Sequence, residues 1–233
     1  MFRTILAVLT FSALAGASTI TFNTAAGAQD AAGAPVSASA AFTTGAGFVD
    51  ITLTDKTAAT PDAGALLSDL FFTLSFTPGA LNTTTTPTSA PLIDIAANGS
   101  VTTNNGAIAA WGLTSNGATV HLDSLAGGAT QTIIGPGPYA GVSNSSILDN
   151  NGHNPFINQT ATFHIAISGV TADTTITGAA FSWGTLGGDN TTGVCTPGTG
   201  PNCGSTTVPE PITSSLVGAG LISLFFLRRR VRG

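Results

Sequence analysis

Basic side chains are almost missing from the middle of this chain of 233 residues. Arg3 sits near the start and Arg228, Arg229, Arg230 and Arg232 near the end, so Lys56 is the one Lys or Arg of residues 18–207, against ten Asp. A surface this poor in cations cannot neutralise a row of phosphates, which excludes nucleic-acid binding by the usual electrostatic route. Glutamate is scarcer still, with Glu210 its single instance. The body therefore has no Glu to close a calcium loop and none for a pair of glycosidase carboxylates. Cysteine is limited to Cys195 and Cys203, with no further metal ligands in the residues around them. No window of residues 18–207 sustains an amphipathic helix of ordinary length; only Asp62–Leu70 (DAGALLSDL) allows a helical turn or two. What fills the space is Thr, Ser, Asn, Gly and Ala, a surface of hydroxyls and amides.

The two ends are a different material. Met1–Ala17 has Arg3, an apolar run from Ile5 to Leu14 and Ala15-Gly16-Ala17 before Ser18. That is the layout of a secretory signal peptide cut between Ala17 and Ser18, with the Sec export machinery as partner. At the other end Ile212–Leu227 (ITSSLVGAGLISLFFL) carries no charge. As a helix it would span about 24 Å, short for a hydrocarbon core of about 30 Å, with the Arg stems able to snorkel. This transmembrane helix would hold Arg228, Arg229, Arg230 and Arg232 on the cytoplasmic side and leave the body outside. Pro209 and Pro211 bracket Glu210 and keep the junction extended. Exported in this way, Cys195 and Cys203 would meet an oxidising compartment and pair as a disulfide.

The order of Pro-Glu-Pro, short apolar helix and terminal Arg cluster resembles the PEP-CTERM sorting tail of Gram-negative bacteria over Val208–Gly233. The resemblance implies that Pro209, Glu210 and Pro211 form a recognition motif. It also implies that an exosortase, an integral-membrane Cys-dependent transpeptidase-like enzyme, cuts the tail and makes the anchor temporary. An ordinary permanent anchor behind a stiff linker is the alternative. The final location expected is the cell envelope or an extracellular matrix.

The body reads as strands. Thr19–Phe22, Val49–Thr54 and Leu70–Phe76 alternate, and in Thr160–Ile167 the apolar Ala161, Phe163, Ile165 and Ile167 face one way while Thr160, Thr162 and His164 face the other. Weaker candidates are Val36–Phe42, Leu92–Thr102, Ala107–Leu113, Ala118–Leu122 and Thr132–Ile134. Ile176 and Phe181 are out of phase by one, which a bulge near Gly178 would repair. Pro78–Pro91 and Pro136–Pro155 read as long polar loops. The fold expected is all-β, a single antiparallel β-sandwich of jelly-roll-like or immunoglobulin-like type. The chain then divides into a signal peptide (1–17), the sandwich (18–193), a Gly/Pro/Thr-rich linker (194–207) and the sorting tail (208–233, with the helix at 212–227). Ser18–Asn23, Leu67–Ser75, Asn154–Phe163 and Phe181–Thr185 also look like parts of a recurrent domain of secreted PEP-CTERM proteins, from which no site is carried over.

Candidate sites in the body are sparse. His121, His153 and His164 stand at no metal-ligand spacing, and no nucleophile elbow accompanies the many Ser residues. Neither a catalytic set nor a metal site is expected, and the body is read as non-enzymatic. Calcium is the one cofactor weighed: Asp149-Asn150-Asn151-Gly152 gathers oxygen donors but reads better as a turn. Trp111 and Trp183 could stack on sugars if exposed and are expected in the core. Asn82, Asn98, Asn144, Asn158 and Asn190 begin Asn-x-Ser/Thr sequons, and Thr83–Thr86 could carry O-linked sugar. The function expected is that of an exported, sorted protein whose body is structural, matrix-associated or glycan-contacting, with exopolysaccharide as a partner. The alternatives are a secreted polysaccharide hydrolase using Asp pairs and a calcium-stabilised adhesin.

Overall fold

A computed structural model describes residues 19–126, 131–140, 146–149 and 153–185 and, as backbone, 189–195. The signal-cleavage pair Ala17 and Ser18, Cys203, most of the linker, the tail motif and the Arg cluster lie outside the described residues. Among the described residues no helix is long and apolar enough to cross a membrane; Ile212–Leu227 is not among them.

The body is all-β, with two sheets. In chain order the strands are β1 (Thr19–Thr24), β2 (Ala38–Gly45), β3 (Phe48–Asp55), β4 (Leu67–Leu74), β5 (Asn82–Thr85), β6 (Leu92–Ile95) and β7 (Val101–Asn104). They continue as β8 (Trp111–Asn116), β9 (Thr119–Asp123), β10 (Ile133–Ile134), β11 (Phe156–Asn158), β12 (Thr160–Ala166), β13 (Ile176–Trp183) and β14 (Asp189–Cys195). One sheet runs β12-β3-β2-β1-β14 and the other starts again from β14 as β14-β13-β4, so β14 pairs into both. The far edge of β4 is shared: Asp69–Thr73 pairs with β9, followed by β8 and β5, while Leu67 pairs with β10, followed by β11, β6 and β7.

The inner faces meet in one apolar core. Phe42 on β2 lies 6.0 Å edge-to-face from Phe22 and 5.3 Å from Phe72 of the opposite sheet. At another point Trp111 on β8 packs 5.2 Å from Phe163 on β12. A smaller cluster of Leu66, Ile93, Ile134, Tyr139, Ile147 and Phe156 forms beside β10 and β11.

Alternation predicted the strongest strands correctly: Ala161, Phe163, Ile165 and Ile167 are buried and His164 is exposed. The phase problem in β13 is resolved by a register shift between Ile176 and Gly178, which buries both Ile176 and Phe181 completely. Asp62 caps the 3-10 turn Ala63–Ala65, its Oδ1 accepting the Gly64 amide at 2.8 Å, and β4 starts directly afterwards.

Four expectations are corrected. The body is not wholly antiparallel, because β10 and β11 pair in parallel, which the long crossover between them permits. Leu92–Thr102 is a hairpin rather than one strand, reversed by a turn in which Ala96 N–H donates to Ser100 O and Gly99 takes φ +79°. Pro78–Pro91 contains β5, hidden in the sequence because Asn82, Thr83 and Thr84 are exposed and supply no alternation. Val194 and Cys195 belong to β14 and not to the linker.

Candidate functional site

The outer face of the second sheet holds an unusual convergence. Asp69 on β4 is the direct cross-strand partner of Asp123 on β9, and two residues along Phe71 is the partner of His121. Alternation puts Asp69, Phe71, His121 and Asp123 on the same face, opposite to the core-facing Leu70, Phe72, Val120 and Leu122. The His121 ring stacks on Phe71 with centroids 3.9 Å apart and planes 6° from parallel, which fixes its tilt. Its Nε2 then stands 3.3 Å from Asp69 Oδ1. One ligating atom from each of Asp69, His121 and Asp123 lies within 4.8 Å of the others.

Neighbours hold each carboxylate in place. Ser68 Oγ donates to Asp69 Oδ2 at 2.9 Å, and the Leu125 amide donates to Asp123 Oδ1 at 2.6 Å. The side chain of Asp69 is only 3 % exposed, whereas that of His121 is 27 % exposed. Burial pulls the Asp69 pKa upward, but hydrogen bonding with His121, Asp123 and Ser68 outweighs it and holds the carboxyl below its usual value. Asp123 goes the other way: burial, the hydrogen bond to Asp69 and the negative charge of Asp69 push it up to about 6. Two carboxylates side by side thus divide the work of one proton, the behaviour of a like-charge pair.

The other candidates are dispersed. His164 Nδ1 meets Asp50 Oδ1 at 2.6 Å on the exposed outer face of β12 and β3. His153 lies in the loop before β11. Trp111 and Trp183 are both 1 % exposed, so neither offers a platform for a sugar ring. Asp149 takes φ +49°, the left-handed conformation expected of the Asn/Asp/Gly turn; Asn150, Asn151 and Gly152 lie outside the described residues. It lines an open cavity of about 400 Å³ with Asp94, Asn104 and Asn154, where Asn104 Nδ2 donates to Asp94 Oδ2 at 2.8 Å. Asp69 and Asp123 went unnoticed as sequence candidates because 54 positions and a strand register separate them. Only the two-residue spacing of His121 and Asp123 hinted at a shared strand face.

Residues 207–230 match the family model of the PEP-CTERM protein-sorting motif. The chain carries a PEP-CTERM sorting tail. The matched span includes Pro209, Glu210 and Pro211, and such a tail implies an exported, envelope-targeted protein, here with a β-rich body, and processing by an exosortase. The PEP-CTERM match ends short of the body. No curated protein and no solved structure matches the chain.

Proposed function

We propose that this protein is exported, released from its C-terminal anchor by an exosortase, and deposited in the envelope or extracellular matrix, where its β-rich body acts as a structural, non-enzymatic component. The sorting motif at residues 207–230 carries this reading. The surface offered to a matrix is hydroxyl and amide: Asn82, Thr83 and Thr84 on β5 and Thr102 and Thr103 on β7 are exposed. Such groups suit many weak hydrogen bonds to exopolysaccharide. Stacking on Trp111 or Trp183 is excluded by their burial.

A hydrolase finds less support. Glycosidase carboxyl groups stand about 5–10 Å apart with substrate or water between them, whereas Asp69 and Asp123 are engaged with each other and with His121 inside 4.8 Å. The test is the intact mass of the native protein from fractionated cells and matrix. A species beginning near Ser18, lacking Arg228–Gly233 and found outside the inner membrane is expected. Recovery solely as an inner-membrane species that retains Arg228–Gly233 would overturn the proposal.

A further inference from the structure

The cluster on β4 and β9 sets two carboxylates side by side with little positive charge to offset them. Like charges directly opposite on neighbouring strands repel, and Asp69 faces Asp123 in register. A Lys or Arg would ordinarily sit beside such a pair. The one such residue among the described ones is Lys56, whose Nζ donates to Asn23 Oδ1 at 2.9 Å on the first sheet. His121 is the single side chain of basic type at the cluster, and it is held there by stacking on Phe71.

The geometry points to a binding site for one divalent transition-metal ion of the zinc type, ligated by Asp69, His121 and Asp123. The Nε2–Oδ1 distance of 3.3 Å is long for a charge-assisted hydrogen bond, which closes to about 2.7–2.9 Å. It matches two ligands of one tetrahedral ion, since metal–ligand bonds of about 2.0 Å at the tetrahedral angle separate the donors by about 3.3 Å. One imidazole nitrogen with two carboxylate oxygens favours zinc over calcium, which prefers six or more oxygens. The supporting shell is in place: Ser68 Oγ turns Asp69 and the Leu125 amide turns Asp123, as outer partners of metal ligands do.

A second observation comes from the other side of β4. Ser182 on β13 is the cross-strand partner of Asp69 and so shares its face. It is completely buried, and its Oγ has no hydrogen-bond partner among the described residues. A buried hydroxyl without a partner is costly. A ligand bound at this face would supply the polar neighbour it lacks. The ion would tie β4 to β9 and neutralise the carboxylate pair.

The test is calorimetric titration of zinc chloride into the full chain, untagged and stripped with chelator. One site is expected, with a higher melting temperature in the presence of zinc. His121→Gln and Asp123→Asn should each weaken binding by at least about tenfold, the lower range for outer partners, which a direct ligand must exceed. Ser182→Ala should weaken it less, and His164→Gln, at the exposed pair with Asp50, should leave it unchanged. Cobalt(II) in place of zinc should give the intense visible absorption of a four-coordinate ion, lost in His121→Gln. No binding by the parent chain would overturn the inference. So would binding that both ligand variants leave intact, or that falls with His164→Gln.

Discussion

Asp55 ends β3 fully buried, with the residue 1 % exposed. Its Oδ1 accepts the Thr57 amide at 2.8 Å, whereas Oδ2 has no partner of hydrogen-bonding geometry among the described residues. The backbone amides of Leu67 and Gly135 ease its charge, but burial dominates and pushes the pKa up to about 7. Nearby, Tyr139 donates to Gly135 O at 2.6 Å, and burial together with the Asp55 charge pushes its phenol up to about 12. The chain passes so closely here that a Cβ on Gly135 would stand 2.0 Å from Thr57 O. Because the folded pKa of Asp55 exceeds the unfolded one, the folded state holds the extra proton between about pH 4 and 7. This group's contribution is therefore complete below about pH 4 and is lost as the pH rises through 7. Asp55→Asn removes the titration. Urea unfolding at pH 5 and pH 7.5 should show the parent chain losing about 2 kcal/mol more than the variant over that interval. Equal losses would mean that Asp55 titrates normally.

Strands in this protein announce themselves only where one face is dry. β12 was legible from its period of two because Phe163 and Ile165 must be buried while His164 is not. β5 was illegible because a run of Thr at a sheet edge satisfies strand geometry without burying anything. The irregularity in β13 was legible for a third reason, since two large apolar side chains of opposite phase cannot both reach the core without an extra residue between them. Between the sheets, the contact that counts most is that of Phe42, which touches an aromatic ring on its own sheet and another across the core. Phe42→Ala should lower stability by about 3–5 kcal/mol, read from chemical denaturation, because the surrounding strands cannot close the cavity. A loss below about 1 kcal/mol would show that the interface between the sheets rests elsewhere.

The molecule as a whole is assembled so that its chemistry of destination and its chemistry of substance are separate. Residues 207–230 carry the address, while Ala17–Ser205 forms one compact unit. Changing the address should leave the body intact. Glu210→Gln, which removes the motif's charge while keeping its shape, is expected to shift the native protein toward a full-length, membrane-retained species, measured by intact mass. The melting temperature of the body should not move. If processing continues unaffected, Glu210 is not read by the processing enzyme.

The sequence alone determined the sorting tail, the fold class and much of the core, because Pro-Glu-Pro and alternating apolar residues act through local order and need no folded context. It also determined that the body would be acidic and almost free of Lys and Arg. Tertiary structure decided what pairs with what. β14 closes one sheet onto the other, β10 and β11 run in parallel, and β4 divides its edge between two sets of partners. The same pairing brings Asp69, His121 and Asp123 to one point although His121 and Asp69 are 52 positions apart. Strand register is set by how all the apolar faces fit a common core, and no single segment carries that information.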